Sequence, residues 1–137
     1  MRDTGTPAEA PARHAAPSRP LRTAVFVLFV LISLVVLFTP APEVPRGPQD
    51  LDKVIHVALF AALAVSGRYA GVRARVLVPA LIAYGGGSEL LQGLPSIDRS
   101  TSAADWVADS AGITLGYIGT ALSTRLRSAS RSSAGCG

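Results

Sequence analysis

Four long apolar stretches, at residues 22–39, 53–71, 75–94 and 103–122, leave this chain few ways to fold. Each is close to the roughly 20 residues that an α-helix needs to cross a hydrocarbon core of about 30 Å. The connections between them are short, roughly 13, 3 and 8 residues, so helices adjacent in sequence must run antiparallel. Charge is scarce as well: 16% of residues are charged and 49% hydrophobic, with a mean hydropathy of +0.39. A soluble domain carries about 25% charge. The expected fold is therefore all-α, an antiparallel up-down four-helix transmembrane bundle over residues 21–122. Residues 1–20 and 123–137, rich in Pro, Ala, Ser, Thr, Gly and Arg, are expected to be a disordered arm and tail.

Each stretch has its own signals. The first, Ala24 to Phe38, is nearly all Val, Leu, Ile and Phe, with Ser33 as the polar exception. Arg19 and Arg22 precede it and Pro40 follows. A signal peptide has the same outline. The run is long for one, however, and Pro42 follows the best small-residue site, so an uncleaved helix is expected. In the second stretch Arg68 must snorkel at the far end. In the third, Pro79 is expected in the first turn, where a missing N–H does least harm, and Gly85-Gly86-Gly87 lets a neighbour's backbone come close. In the fourth, Gly112 and Gly116 form a small-xxx-small stripe, extended by Ala108 and Thr120, that suits tight helix packing.

The basic residues orient the bundle. With the N-terminus inside, Arg2, Arg13, Arg19, Arg22, Arg68, Arg73, Arg75, Arg125, Arg127 and Arg131 fall on one side. Arg46, Lys53 and Arg99 fall on the other. Cytoplasmic loops carry the excess of Lys and Arg, so both termini are expected in the cytoplasm. The net charge of +4 is thus read as topology and not as a nucleic-acid surface. Cys136, the only cysteine, excludes an internal disulfide framework and a cysteine metal site. Only one residue follows it, so it is not a prenylation box.

Antiparallel threading then gathers the ionisable residues at the extracytoplasmic end. Asp52, Lys53 and His56 start the second helix, Glu89 and Gln92 finish the third, and Asp105 and Asp109 start the fourth. Residues three or four apart share a helix face, as do Asp52 and His56, or Lys53 and His56. At 1.5 Å per residue Glu89 sits roughly 20 Å along its helix from Val76, about 10 Å beneath the outer surface. Arg99 reaches down from the loop above. A carboxylate at that depth must be protonated, paired or hydrated. The plainer alternatives are an ion-pair network fastening the helix ends and helix capping: Ser102-x-x-Asp105 reads as a capping box, and Asp50 and Asp52 suit a helix start.

The ordered set Asp52-Lys53-x-x-His56, Glu89-x-x-Gln92 and Arg99-x5-Asp105-x3-Asp109-x2-Gly112-x3-Gly116 resembles the VanZ-like family of small bacterial membrane proteins, over about residues 51–120. One position departs: the family more often has Asn where this chain has Asp109. The resemblance implies a four-helix membrane fold and a loose link to the cell envelope and to teicoplanin tolerance, with no settled reaction.

Three functions are weighed on these residues. In the first, a non-enzymatic envelope protein, the outward pocket binds a membrane lipid headgroup or cell-envelope precursor. Lys53, Arg99 and His56 hold a phosphate, oriented by Glu89 and the aspartates. The second is a membrane-embedded enzyme acting on a lipid-linked phosphate or ester, with His56 and Glu89 as acid/base candidates. A metal held by His56, Glu89 and Asp109 is a subsidiary version, but no HExxH-like spacing is present, so no metal or other cofactor is expected. Ser88 and Ser110 lack a recognisable nucleophile elbow. The third, a proton-coupled transporter or flippase component, needs a homo-oligomer, since four helices are few for a pathway.

Overall fold

The computed structural model describes residues 16–39, 49–94 and 103–134, and all regular structure within them is helical. There are four helices: α1 (Arg19–Phe38), α2 (Gln49–Tyr69), α3 (Ala74–Gln92) and α4 (Ala103–Ala134). The all-α expectation holds, with boundaries that differ in instructive ways.

Helix α1 opens on Pro20, whose fixed φ suits a first turn, behind an extended Ser18. The Arg22 side chain holds this entry by donating from Nε to Pro17 O at 3.0 Å. The helix closes with the Thr39 N–H on Val35 O, and Pro40 follows in sequence, where continuation would lack a donor. Helix α2 ends in a Schellman closure. Val72 N–H donates to Gly67 O, Gly71 N–H donates to Arg68 O, and Gly71 takes the left-handed φ of +92° that this motif requires. Arg68 Nη1 donates to Val72 O at 2.7 Å, so this arginine fastens the α2–α3 turn.

Two readings of the sequence need correction. Pro79 lies inside α3, which begins at Ala74, and not in its first turn. It faces outward, so the missing N–H falls on the surface of the helix. Residues 123–134, expected in a disordered tail, continue α4 to Ala134. No Gly or Pro interrupts that segment before Gly135, and Ala, Arg and Leu are good helix formers. Hydroxyls bond back to the helix along it, Ser123 to Thr120 O and Ser128 to Thr124 O. Most of the expected arm lies outside the described residues.

The packing follows the small residues. Helix α2 touches all three others, and its contact with α4 is the most extensive. These two run parallel: Gly112 lies against Val57 and Gly116 against Ala61. A Cβ at Gly112 would fall inside the contact radius of Val57 O, and one at Gly116 would stand 2.7 Å from Ala61 O. The expected glycine stripe is thus a backbone-to-backbone interface. Two side-chain contacts mark the helix ends, one between antiparallel α1 and α2 and one between parallel α1 and α3. The Arg22 guanidinium, at the start of α1, lies 5.6 Å from the ring centre of Tyr69, at the end of α2. Gln92, at the end of α3, reaches the end of α1. Leu37, Phe60, Leu63, Leu77, Leu81 and Ile113 form the apolar core between these ends.

The distribution of polarity is inverted relative to a soluble domain. Large apolar side chains such as Leu28, Val35, Val54, Val76, Leu115 and Ile118 are exposed on all four helices. The buried set includes Ser33, His56, Glu89, Gln92, Asp105 and Asp109. Among the described residues α1 alone combines the length and apolarity of a membrane span, and only 11% of its apolar window is buried. The other three helices carry the Gly, Asp, Glu and Arg residues that lower their average.

Candidate functional site

Three helices bring their charged ends to one place. His56 projects from the first half of α2, Asp109 from the first half of α4 and Glu89 from the last turn of α3, with exposures of 2%, 0% and 4%. His56 Nδ1–H donates to Asp109 Oδ1 at 2.8 Å, across 53 residues of sequence. One nitrogen or oxygen from each of His56, Glu89 and Asp109 lies within 4.8 Å of the others. Asp52 and Asp105 approach from the outer side, again with atoms within 4.8 Å of each other and of His56. His56 is thus common to two groups of three, one with Glu89 and Asp109 and one with Asp52 and Asp105.

Glycine makes the approach possible. Because α2 and α4 touch at Gly112 and Val57, the short Asp109 side chain, less than one turn earlier on α4, reaches the imidazole at position 56. On the other flank Gly85 of α3 lies against Asp109: a Cβ there would stand 2.8 Å from Oδ2. The glycine run thus admits a side chain where a backbone was expected. Gly86 faces the Trp106 indole and Gly87 faces open space. The Asp109 Oδ2 atom is buried and accepts no hydrogen bond among the described residues.

The remaining candidates divide. Gln92, expected beside Glu89, donates from Nε2 to Leu37 O at 2.9 Å, supplying a partner to a carbonyl of the last turn of α1. Its amide nitrogen therefore ties two helices together. Asp105 stands in the first turn of α4, where its charge favours the helix start, yet it is buried beside His56. The Ser102 half of its expected capping box lies outside the described residues, and so does Arg99. Asp52 is inside α2, which starts at Gln49, and so does not cap it. Lys53 is half-buried, one turn before His56. Neither serine acts as a nucleophile would. Ser88 Oγ donates to Gly85 O at 2.7 Å and Ser110 Oγ to Trp106 O at 2.9 Å, both within their own helices.

A second polar link escaped the sequence reading. Ser33 Oγ donates to Val30 O and accepts from the Tyr84 hydroxyl at 3.0 Å, joining α1 to α3 within the core. The isolated serine in an apolar run was the available signal; its partner was not marked by spacing. The Tyr84 ring also packs on Phe60, centroids 5.8 Å apart.

These features define a class: a small helical protein, apolar outside, with a histidine–carboxylate cluster sealed into one end. Comparison with protein-family models, curated proteins and solved structures finds no match.

Proposed function

We propose that the chain is a VanZ-like, multi-pass protein of the bacterial cell membrane that contributes to glycopeptide tolerance of the teicoplanin type. Both termini are cytoplasmic. The cluster of His56, Glu89, Asp105 and Asp109, together with Asp52, Lys53 and Arg99, engages a lipid headgroup or cell-envelope precursor at the extracytoplasmic face. What carries this reading is the buried His56–Asp109 pair beside Glu89, inside a bundle whose outer faces are apolar. Charged groups sealed among helices at membrane depth are expensive, and proteins retain them where they do work. The basic residues support the orientation: Arg22 and Arg68 lie at the end opposite the cluster. All four helices are needed as spans, with α2, α3 and α4 turning their polar residues inward and leaving apolar side chains for lipid.

The His56–Asp109 bond favours a second reading, a membrane-embedded enzyme on a lipid-linked phosphate or ester. A carboxylate that orients an imidazole through Nδ1 prepares it as a general base. With Ser88 and Ser110 engaged by their own helices, such an enzyme would activate water. Proton-coupled transport remains the third reading and requires a homo-oligomer.

Two experiments test the main reading. Single cysteines at positions 46 and 73, in a Cys136→Ser background, should be labelled by an impermeant reagent in intact cells at 46 and not at 73; the reverse overturns the orientation. Glu89→Gln should leave membrane expression intact and abolish the tolerance phenotype. Normal tolerance in that variant reduces the cluster to packing. Arg99→Ala should weaken headgroup binding, whereas proton relay does not need that cation.

A further inference from the structure

The polar cluster gathers four carboxylates around one imidazole. Glu89 and Asp109, when ionised, bring two negative charges to a site with one imidazole, and the outer layer adds Asp52 and Asp105. Lys53 stands one turn away on α2. Burying charge is tolerated when it is paired or when it coordinates a metal. The donor set is nitrogen and carboxylate oxygen without thiolate, from three different helices, and Asp109 Oδ2 is fully buried with no hydrogen bond among the described residues.

We infer that His56, Glu89 and Asp109 form a binding site for one divalent transition-metal ion of the zinc, manganese or iron(II) type. Ligand atoms about 2.0–2.2 Å from such an ion stand roughly 3–3.4 Å from one another. The 2.8 Å between His56 Nδ1 and Asp109 Oδ1 is already near that spacing. None of the other separations exceeds 4.8 Å, and the three side-chain torsions of Glu89 allow it to close on an ion. On loading, the ion takes the Nδ1 lone pair in place of the proton held there: a neutral imidazole carries that proton on Nε2 instead, and an imidazolium, already protonated at Nε2, releases it to solvent. Asp52 and Asp105 then stand where outer carboxylates orient a ligating imidazole. Gly85 lies against the Oδ2 side of Asp109, where a Cβ would crowd the carboxylate. Three protein ligands leave further coordination positions for water or an exogenous ligand. The inference does not depend on which envelope molecule the protein meets, or on whether it meets one.

The test uses the full-length protein, purified in detergent through a non-histidine tag, stripped with chelator and exposed separately to Zn(II), Mn(II) and Co(II). After desalting, elemental analysis should find about one ion of at least one metal per chain. Glu89→Gln, Asp109→Asn and His56→Ala should each lower retention at least tenfold, while His14→Ala, which removes the other histidine, keeps it. Wild-type retention below 0.1 ion per chain for all three metals, or equal retention in the ligand variants, overturns the site. Should the variants unfold, the wild-type Co(II) spectrum decides. Visible d–d bands without thiolate charge transfer are expected; a spectrum identical to Co(II) in buffer overturns the site. Failure here leaves the headgroup reading to its own labelling and tolerance experiments.

Discussion

Gly85 on α3 lies against Asp109 on α4 so closely that a β-carbon at position 85 would stand 2.8 Å from Asp109 Oδ2 and 3.3 Å from its Cβ. Asp109 has little freedom to retreat, because its Oδ1 holds the imidazole of His56 on the far side. The glycine is therefore part of the polar site without contributing an atom to its chemistry.

Gly85→Ala should destabilise the protein by about 1–3 kcal/mol, the usual cost of overpacking a filled interior. Gly87→Ala is the matched control: a Cβ there meets nothing within 4 Å. Removing glycine from a helix interior at such a position should stabilise by about 0.5–1 kcal/mol. Unfolding followed by circular dichroism in detergent gives both values. Equal effects at 85 and 87 would show that the α3–α4 contact is looser than described.

The α2–α4 interface predicts a steeper response. At Gly112 the obstacle is the Val57 carbonyl, a backbone atom that cannot swing aside, so Gly112→Ala must separate the helices. A loss of about 2 kcal/mol or more is expected, with the His56–Asp109 bond lengthened as the helices part. Gly119→Ala, where nothing lies within 4 Å, should be neutral or slightly stabilising. Imidazole chemical shifts of His56 in the two variants provide a second readout: they should move for position 112 and stay for position 119.

Much of this arrangement was legible because short connections and helical spacing carry strong geometric information. Once four apolar stretches are threaded antiparallel, His56, Glu89 and Asp109 have to meet at one end, and the Gly112–Gly116 stripe has to face a helix. The particular helix was not determined, since a stripe of small residues says only that some backbone comes near. Other details depend on where helices begin and end. Pro79 lies past the first turn whether α3 is counted from residue 75 or from Ala74, where it starts. Asp52 fell inside α2 because that helix starts at Gln49, before its apolar run, and apolar periodicity carries no information about such a polar turn. The extension of α4 to Ala134 was hidden for the same reason: a Ser- and Arg-rich segment looks like a tail by composition although its residues tolerate a helix. The partner of Gln92 was out of reach, because a main-chain carbonyl such as Leu37 O leaves no mark in sequence.

That Gln92 contact yields its own prediction. Gln92→Leu preserves approximate volume but leaves the buried Leu37 carbonyl without its side-chain donor, a cost of about 1–3 kcal/mol. Gln92→Glu should be at least as harmful if the residue ionises, since an acceptor would then face an acceptor. Hydrogen exchange should rise at the end of α1, around Leu37 and Phe38, before it rises in the α2–α4 pair. Loss of tolerance with unchanged exchange at the end of α1 would instead assign Gln92 to the polar site.

The Ser33–Tyr84 bond is separable from the charged cluster, and a double-mutant cycle isolates it. Tyr84→Phe removes only the hydroxyl that reaches Ser33 and keeps the ring on Phe60. Ser33→Ala removes the acceptor but also the bond from Ser33 Oγ to Val30 O, which is local to α1. A neutral hydrogen bond contributes about 0.5–1.5 kcal/mol net, and polar links between membrane helices average about 0.6. The coupling energy between the two substitutions is therefore expected near the lower half of that range. Each single variant should lose stability, and the double variant should lose less than their sum, because replacing both partners strands neither. Strict additivity would mean that the two hydroxyls find other partners, and that α1 is held to α3 chiefly by apolar contact and by Gln92.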